Sequence, residues 1–235
     1  MKNTFIKVAS ICISIASLTY LSSCKKGSKN APSNEEILNN KIEEVIPQQY
    51  LDTLKKLNFT LNEGTTPPNM EGAYFADNLT LKASNWAPDT EGEHFLSSKF
   101  KIFNQSTKDF GVSLIGEHFL TARDTSIVTA ISGSGNNFTL YGKVKSTTAP
   151  YSAIFAVIIS GTKEGNDIKN YTIGLINIDN TNGDSGTFLP QGKARIIYDS
   201  DYTSEGIDYD TKVSSLPPNV KVLSKSAGEI QIENN

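Results

Sequence analysis

Two periodicities divide the chain. Between Asn34 and Asn58 the apolar residues recur at helical spacing. Ile37, Leu38, Ile42, Val45 and Ile46 share one face, and Tyr50, Leu51, Leu54 and Leu57 follow at i, i+1, i+4 and i+7. Pro47 separates the two runs and suits the first position of the second helix. Asn34 is placed to cap the first helix, with Glu35 and Glu36 in its first turn. Lys55 and Lys56 suit the end of the second, and Asn58 a left-handed residue just beyond it. From Ala73 to about Asp201 the period falls to two. Phe138, Leu140 and Val144 alternate with Thr139, Tyr141, Lys143 and Lys145, the signature of a strand with one buried face.

Strands are predicted over 73–84, 95–104, 110–116, 125–132, 138–145, 151–161, 168–178 and 194–199. The run YSAIFAVII, Tyr151 to Ile159, is apolar on both faces, so it is expected to be covered on both sides, outside by the helical arm. Gly133-Ser134-Gly135-Asn136, Gly165-Asn166-Asp167 and Thr181-Asn182-Gly183-Asp184 supply turn chemistry. Eight strands without helical crossovers imply an antiparallel sheet. The predicted fold class is all-β: an eight-stranded up-and-down, lipocalin-like barrel with an N-terminal helical arm, the β-sandwich being the alternative. Gly72-Ala73-Tyr74 resembles the Gly-x-Trp that opens a lipocalin, with Tyr in place of Trp. The likeness therefore extends to architecture only.

Composition narrows the setting. Ser, Thr and Asn supply 67 of 235 residues, which favours turns and strand edges over long helices. Net charge is −3 and the basic residues are dispersed, so the chain has no nucleic-acid footprint. The two cysteines, Cys12 and Cys24, both fall in or at the end of an apolar leader. Met1 to Lys7 is a basic start, and Val8 to Leu21 is an uncharged run of 14 residues, too short to span about 30 Å of hydrocarbon comfortably.

Leu21-Ser22-Ser23-Cys24 resembles the lipobox of bacterial lipoproteins. That resemblance implies cleavage before Cys24, lipidation of its thiol and then usually of its amino group. Several acyl chains, at about 0.8 kcal/mol per buried CH₂, give durable attachment. Lys25 stands where an aspartate would retain a lipoprotein at the inner membrane. The residues after Cys24 are basic, whereas Bacteroidetes surface-export signals are acidic. The outer membrane is therefore expected, with the periplasmic leaflet favoured over the cell surface. The run Ile46-Pro47 to Tyr74, including Gly64, Pro67-Pro68-Asn69 and Glu71-Gly72, together with Ile131 to Thr139, resembles a group of Bacteroidetes outer-membrane lipoproteins with which no activity travels.

The expected organisation is a signal peptide over 1–23, a flexible tether over 24–33, a helical arm over 34–66, a barrel over 67–210 and a C-terminal tail or hairpin over 211–235. Val220, Val222, Ile230 and Ile232 are the residues from which such a hairpin would be built, around Ser226-Ala227-Gly228. Asp52-Thr53-Leu54 also matches a short O-glycosylation motif of Bacteroidetes exported proteins.

Candidate chemistry is sparse. Gly92-Glu93-His94-Phe95-Leu96 and Gly116-Glu117-His118-Phe119-Leu120 are identical pentapeptides. Read as chemistry, two imidazoles and two carboxylates suit zinc; read as structure, each is a turn whose Phe enters the core. Asp199-x-Asp201-x-Thr203 has the form of a haloacid-dehalogenase nucleophile motif without the βα context. Asp199, Asp201, Thr203 and Glu205 also have the alternating oxygens of a calcium loop, though without its glycine, and a polar turn is the plain alternative. No Gly-x-Ser-x-Gly elbow occurs. Cys24, as the lipidation site, is thus the single site residue assigned; no catalytic, cofactor-binding or metal residue is. The expected function is a lipid-anchored, non-enzymatic binding module for a small apolar or amphipathic ligand. The alternatives are a structural or assembly lipoprotein that binds protein partners and a metal-dependent hydrolase.

Overall fold

The computed structural model describes residues 31–120, 124–184, 186–210 and 221–226. The N-terminal arm is two helices, α1 (Asn34–Val45) and α2 (Gln48–Lys56). Ser33, not Asn34, caps α1. Its hydroxyl accepts from the Glu36 N–H at 3.2 Å, and Asn34 is already the first helical residue. Pro47 stands at the N-cap of α2, one position before that predicted, and Asn58 leaves it with φ 62° in the left-handed region. Leu38, Val45, Leu51 and Leu54 are buried. Among the described residues no helix is long and apolar enough to cross a membrane.

The β region begins with β1 (Thr65–Thr66), β2 (Gly72–Ala76), β3 (Leu79–Ser84), β4 (Ser98–Phe103), β5 (Ser113–Glu117) and β6 (Asp124–Ser134). It continues with β7 (Asn137–Thr148), β8 (Tyr151–Glu164), β9 (Asp167–Asp179), β10 (Ala194–Asp199) and β11 (Thr203–Ile207). Eight of these, β2, β4, β5, β6, β7, β8, β9 and β11, pair antiparallel in chain order. The circuit closes because β11 pairs with both β2 and β9. The protein is therefore a closed eight-stranded barrel, and the sandwich alternative falls away. β3 and β10 pair with each other, Leu79 opposite Asp199 and Arg195 opposite Ser84, and prolong the closing ribbon. β1 adds a short parallel pairing to β6.

Two strand boundaries differ from expectation for one physical reason. The predicted strand over 73–84 bends at Asp77-Asn78, where Asn78 has φ 48°. Opposite it, the strand predicted to end at Asp199 turns through Ser200-Asp201-Tyr202, with Tyr202 at φ 63°, and resumes as β11. A left-handed residue, tolerated at Asn78 and set at Tyr202 by the turn in which its N–H donates to the Asp199 carbonyl, breaks the ladder without ending the ribbon. The C-terminal hairpin falls mostly outside the described residues. Its described part, 221–226, is a strap, bridged through Lys221 to Phe95 and through Lys225 to Phe188.

The alternation in sequence becomes two cores. Inside the barrel, Tyr74, Phe119 and Tyr171 pack around Phe100, with ring centroids 5.2 to 5.7 Å from it. Phe138, Leu140, Phe155, Val157, Ile159, Ile173 and Leu175 fill the rest. Outside, Ala156 and Ile158 of β8 join Tyr141, Ile176 and Ile196 beneath Val45, Ile46, Leu51, Leu54 and Phe59. β8 is thus buried on both faces, and the helical arm is its outer cover. Gly174 makes the fit possible: a Cβ there would come within 3.3 Å of Phe59 and Leu54.

Candidate functional site

Among the described residues the barrel interior is packed with the buried apolar side chains just named. One mouth is also sealed. Arg195 is fully buried and forms a bidentate pair with Asp89, through Nε at 2.8 Å and a terminal nitrogen at 2.7 Å. Its other terminal nitrogen donates to the Leu223 and Lys225 carbonyls at 2.6 and 2.8 Å, drawing the 221–226 strap across the end. Leu223 is driven into the core there beside Phe188 and Leu189.

Clefts lined by described residues lie on the outer wall. A cleft of about 460 Å³ separates the arm from β6 and β7. Its floor is apolar: Leu38, Ile42, Leu51, Leu61 and Tyr141. Its rim carries Glu35, Glu43 and Glu63 against the single cation Lys55. Each wall has a local cause. The α1 stripe supplies Leu38 and Ile42, Leu51 comes from the buried face of α2, and Leu61 sits on the linker. That linker is pinned to the barrel by Asn62, whose amide donates to the Phe138 carbonyl at 2.8 Å and the Ser160 hydroxyl at 2.9 Å. Burial pushes the Tyr141 hydroxyl up to about 12, against a smaller opposing effect of its Ser132 contact, so it stays neutral.

A second groove of about 500 Å³ lies further along the wall. Tyr198 and Tyr202, with centroids 5.9 Å apart, form one side, and Asn58, Thr60, Asn170 and Thr172 a polar lining. At its edge the bends in the two closing strands meet. Asp77, Asp199 and Asp201 converge there, with one oxygen of each within 4.8 Å of the others. Asp199 is fully buried; its Oδ2 accepts from Ser204 at 3.1 Å. Burial, then the hydrogen bond and charge of Asp201, push Asp199 up to about 7; burial and the Asp201 charge also raise Asp77.

The structure redistributes the residues singled out in the sequence. Asp199 and Asp201 do come together, but their third partner is Asp77, from the opposite strand. Thr203 instead accepts a hydrogen bond from Lys169 Nζ at 3.0 Å, and Glu205 is exposed on β11. Spacing within one segment could not reveal Asp77; an acidic residue beside an Asn at a strand bend was the available signal. His94 bridges to Thr80, whose hydroxyl lies 3.4 Å from its Nδ1, while His118 occupies the left-handed region at φ 66°. Among the described residues neither joins a metal-ligand cluster. Phe95, Leu96, Phe119 and Leu120 are all buried, as the turn-to-core reading of the pentapeptides requires. Thr53 of the glycosylation motif sits within α2, its hydroxyl donating to the Gln49 carbonyl at 3.0 Å. Cys24 lies outside the described residues. No family model matches the chain, and no curated protein or solved structure matches it significantly.

Proposed function

We propose that this protein is a lipid-anchored envelope lipoprotein that acts as a non-enzymatic binding module, taking a small amphipathic ligand in the cleft between its helical arm and the barrel wall. The observation that carries the reading is an apolar cleft with a charged rim on the outside of a barrel whose described interior is packed with apolar side chains. Its size lies within the usual range for small-molecule sites, roughly 300–1,000 Å³. Three carboxylates against one lysine at the rim favour a ligand whose head is cationic or neutral over an anionic one. The anchor rests on the Leu21-Ser22-Ser23-Cys24 motif, and the outer membrane, periplasmic leaflet favoured, on the residues that follow it.

Native mass spectrometry of the lipoprotein in detergent micelles, with titration by an environment-sensitive cationic alkyl probe, tests the ligand. A saturable site in the wild type that Leu61→Arg abolishes, with circular dichroism unchanged, is expected. Absence of both a co-purified small molecule and saturable probe uptake would defeat the reading. The anchor is tested separately: Cys24→Ala is expected to release the protein from membranes or leave the leader uncut, and unchanged partition with the outer membrane would overturn it. The filled interior also supports a second reading, an assembly lipoprotein that binds a protein partner through its outer surface, where Ile127 is 59% exposed. In-cell cross-linking separates the two, because only the second requires a stable protein partner.

A further inference from the structure

We propose that Asp77, Asp199 and Asp201 form a divalent-cation site, suited to calcium, that fastens the seam where the barrel closes. The geometry comes first. One oxygen from each carboxylate lies within 4.8 Å of the others, which is the span across an ion bound at about 2.4 Å, the calcium–oxygen distance. All three donors are hard oxygens, which suits calcium rather than a thiolate- or imidazole-seeking metal. Among the described residues no Lys or Arg forms an ion pair with any of the three.

A second observation points to a ligand independently of the clustering. Asp199 is 0% exposed, and among the described residues no N–H or hydroxyl donates to its Oδ1, so only a proton or a cation shared with the Asp201 carboxylate can satisfy it. A buried carboxylate oxygen left unpaired is costly, and native proteins rarely leave one so. The neighbouring Tyr171 hydroxyl is fully buried beside Ser98 and close enough for the Asp199 charge to act on it. A bound cation supplies what the protein does not: a partner for Oδ1 and a countercharge for three carboxylates, with waters completing the shell. Hydrogen bonds already fix two donors from behind, Ser204 Oγ on Asp199 at 3.1 Å and the Thr203 N–H on Asp201 at 2.8 Å.

The position gives such an ion a structural task. Asp77 belongs to the bend between β2 and β3; Asp199 ends β10, and Asp201 belongs to the bend that follows it. Those two bends face each other across the ribbon that joins the first barrel strand to the last. A cation held by both would lock the seam and fix Tyr198 and Tyr202, which border the neighbouring groove.

The test uses the full lipoprotein in detergent micelles after treatment with a chelator. Terbium, a calcium surrogate excited through nearby tyrosines, is titrated in and then displaced with calcium; melting is followed in chelator and in calcium. One saturable, calcium-displaceable site and a higher melting temperature in calcium are expected. Asp77→Asn, on a partly exposed side chain, is expected to lower affinity at least tenfold with unchanged circular dichroism. Glu205→Gln is expected to leave affinity as it is. Absence of saturable terbium emission from the wild type, with equal melting in chelator and calcium, would overturn the site and leave a proton shared within the acid cluster. An equal loss in Glu205→Gln would overturn the ligand set. Should Asp77→Asn fail to fold, the wild-type titration still decides. The readout is independent of the arm cleft, so the two proposals stand or fall apart.

Discussion

Arg195 shows how much one side chain can organise. It sits in a strand, fully buried, with its carboxylate partner Asp89 in a loop 106 residues earlier and its carbonyl acceptors some 30 residues later. Its charge is matched and its donors are used, and it lies 5.5 Å from the Phe95 ring centroid. Removing one partner of such a pair leaves an uncompensated buried charge. Asp89→Ala is therefore expected to destabilise the fold by about 3–5 kcal/mol, measured by urea unfolding. A loss below about 1 kcal/mol would mean that water reaches the guanidinium in solution. Neither Asp89 nor Asp77 was legible as a partner in sequence. The pairings join distant segments, and local spacing records only what one helix turn or one strand brings together.

At the scale of elements, legibility follows burial. The strand over β8 could be read as doubly covered because both its faces are apolar, and the α2 stripe as buried because a short helix is marginal without packing. Both rest on the same contact: Leu54 is fully buried against the outer wall, with Phe59 beside it over Gly174. Leu54→Ala is expected to cost about 2–5 kcal/mol. Asp52→Ala, which removes an exposed acceptor for Gln48 at 2.7 Å, is expected to cost under about 0.5 kcal/mol. Equal small shifts in urea would show the arm to be only loosely attached, and the cleft beneath it would lose its wall. The bends at Asp77-Asn78 and Ser200-Tyr202 were harder to read. Their left-handed residues, an asparagine and a tyrosine, interrupt the ribbon without ending it. β11 was missed for a different reason: Thr203–Ile207 has a single large apolar residue, Ile207, and is held by backbone pairing to two neighbours.

For the whole molecule, the eight-stranded barrel was legible because an antiparallel meander needs only strands and turns in order. What the order of strands did not reveal is how the circuit shuts. A chain ending at Asp201 lacks β11 and so leaves β2 and the start of β9 with unpaired backbone edges, which invite intermolecular pairing. Such a truncation is expected to run as oligomers or aggregate in size-exclusion chromatography with light scattering, and a well-behaved monomer would show that β3 and β10 suffice to hold the circuit. The same seam sets the timetable of biogenesis. Phe75 finds its partner in Glu205, 130 residues further along, so the first strand cannot be zipped shut until that segment has emerged. Sheet growth from β4 to β9 proceeds between neighbours, but ring closure is non-local and correspondingly slow. Until then the edges of the meander stay open, and the step that ends that vulnerability is the docking of a five-residue strand.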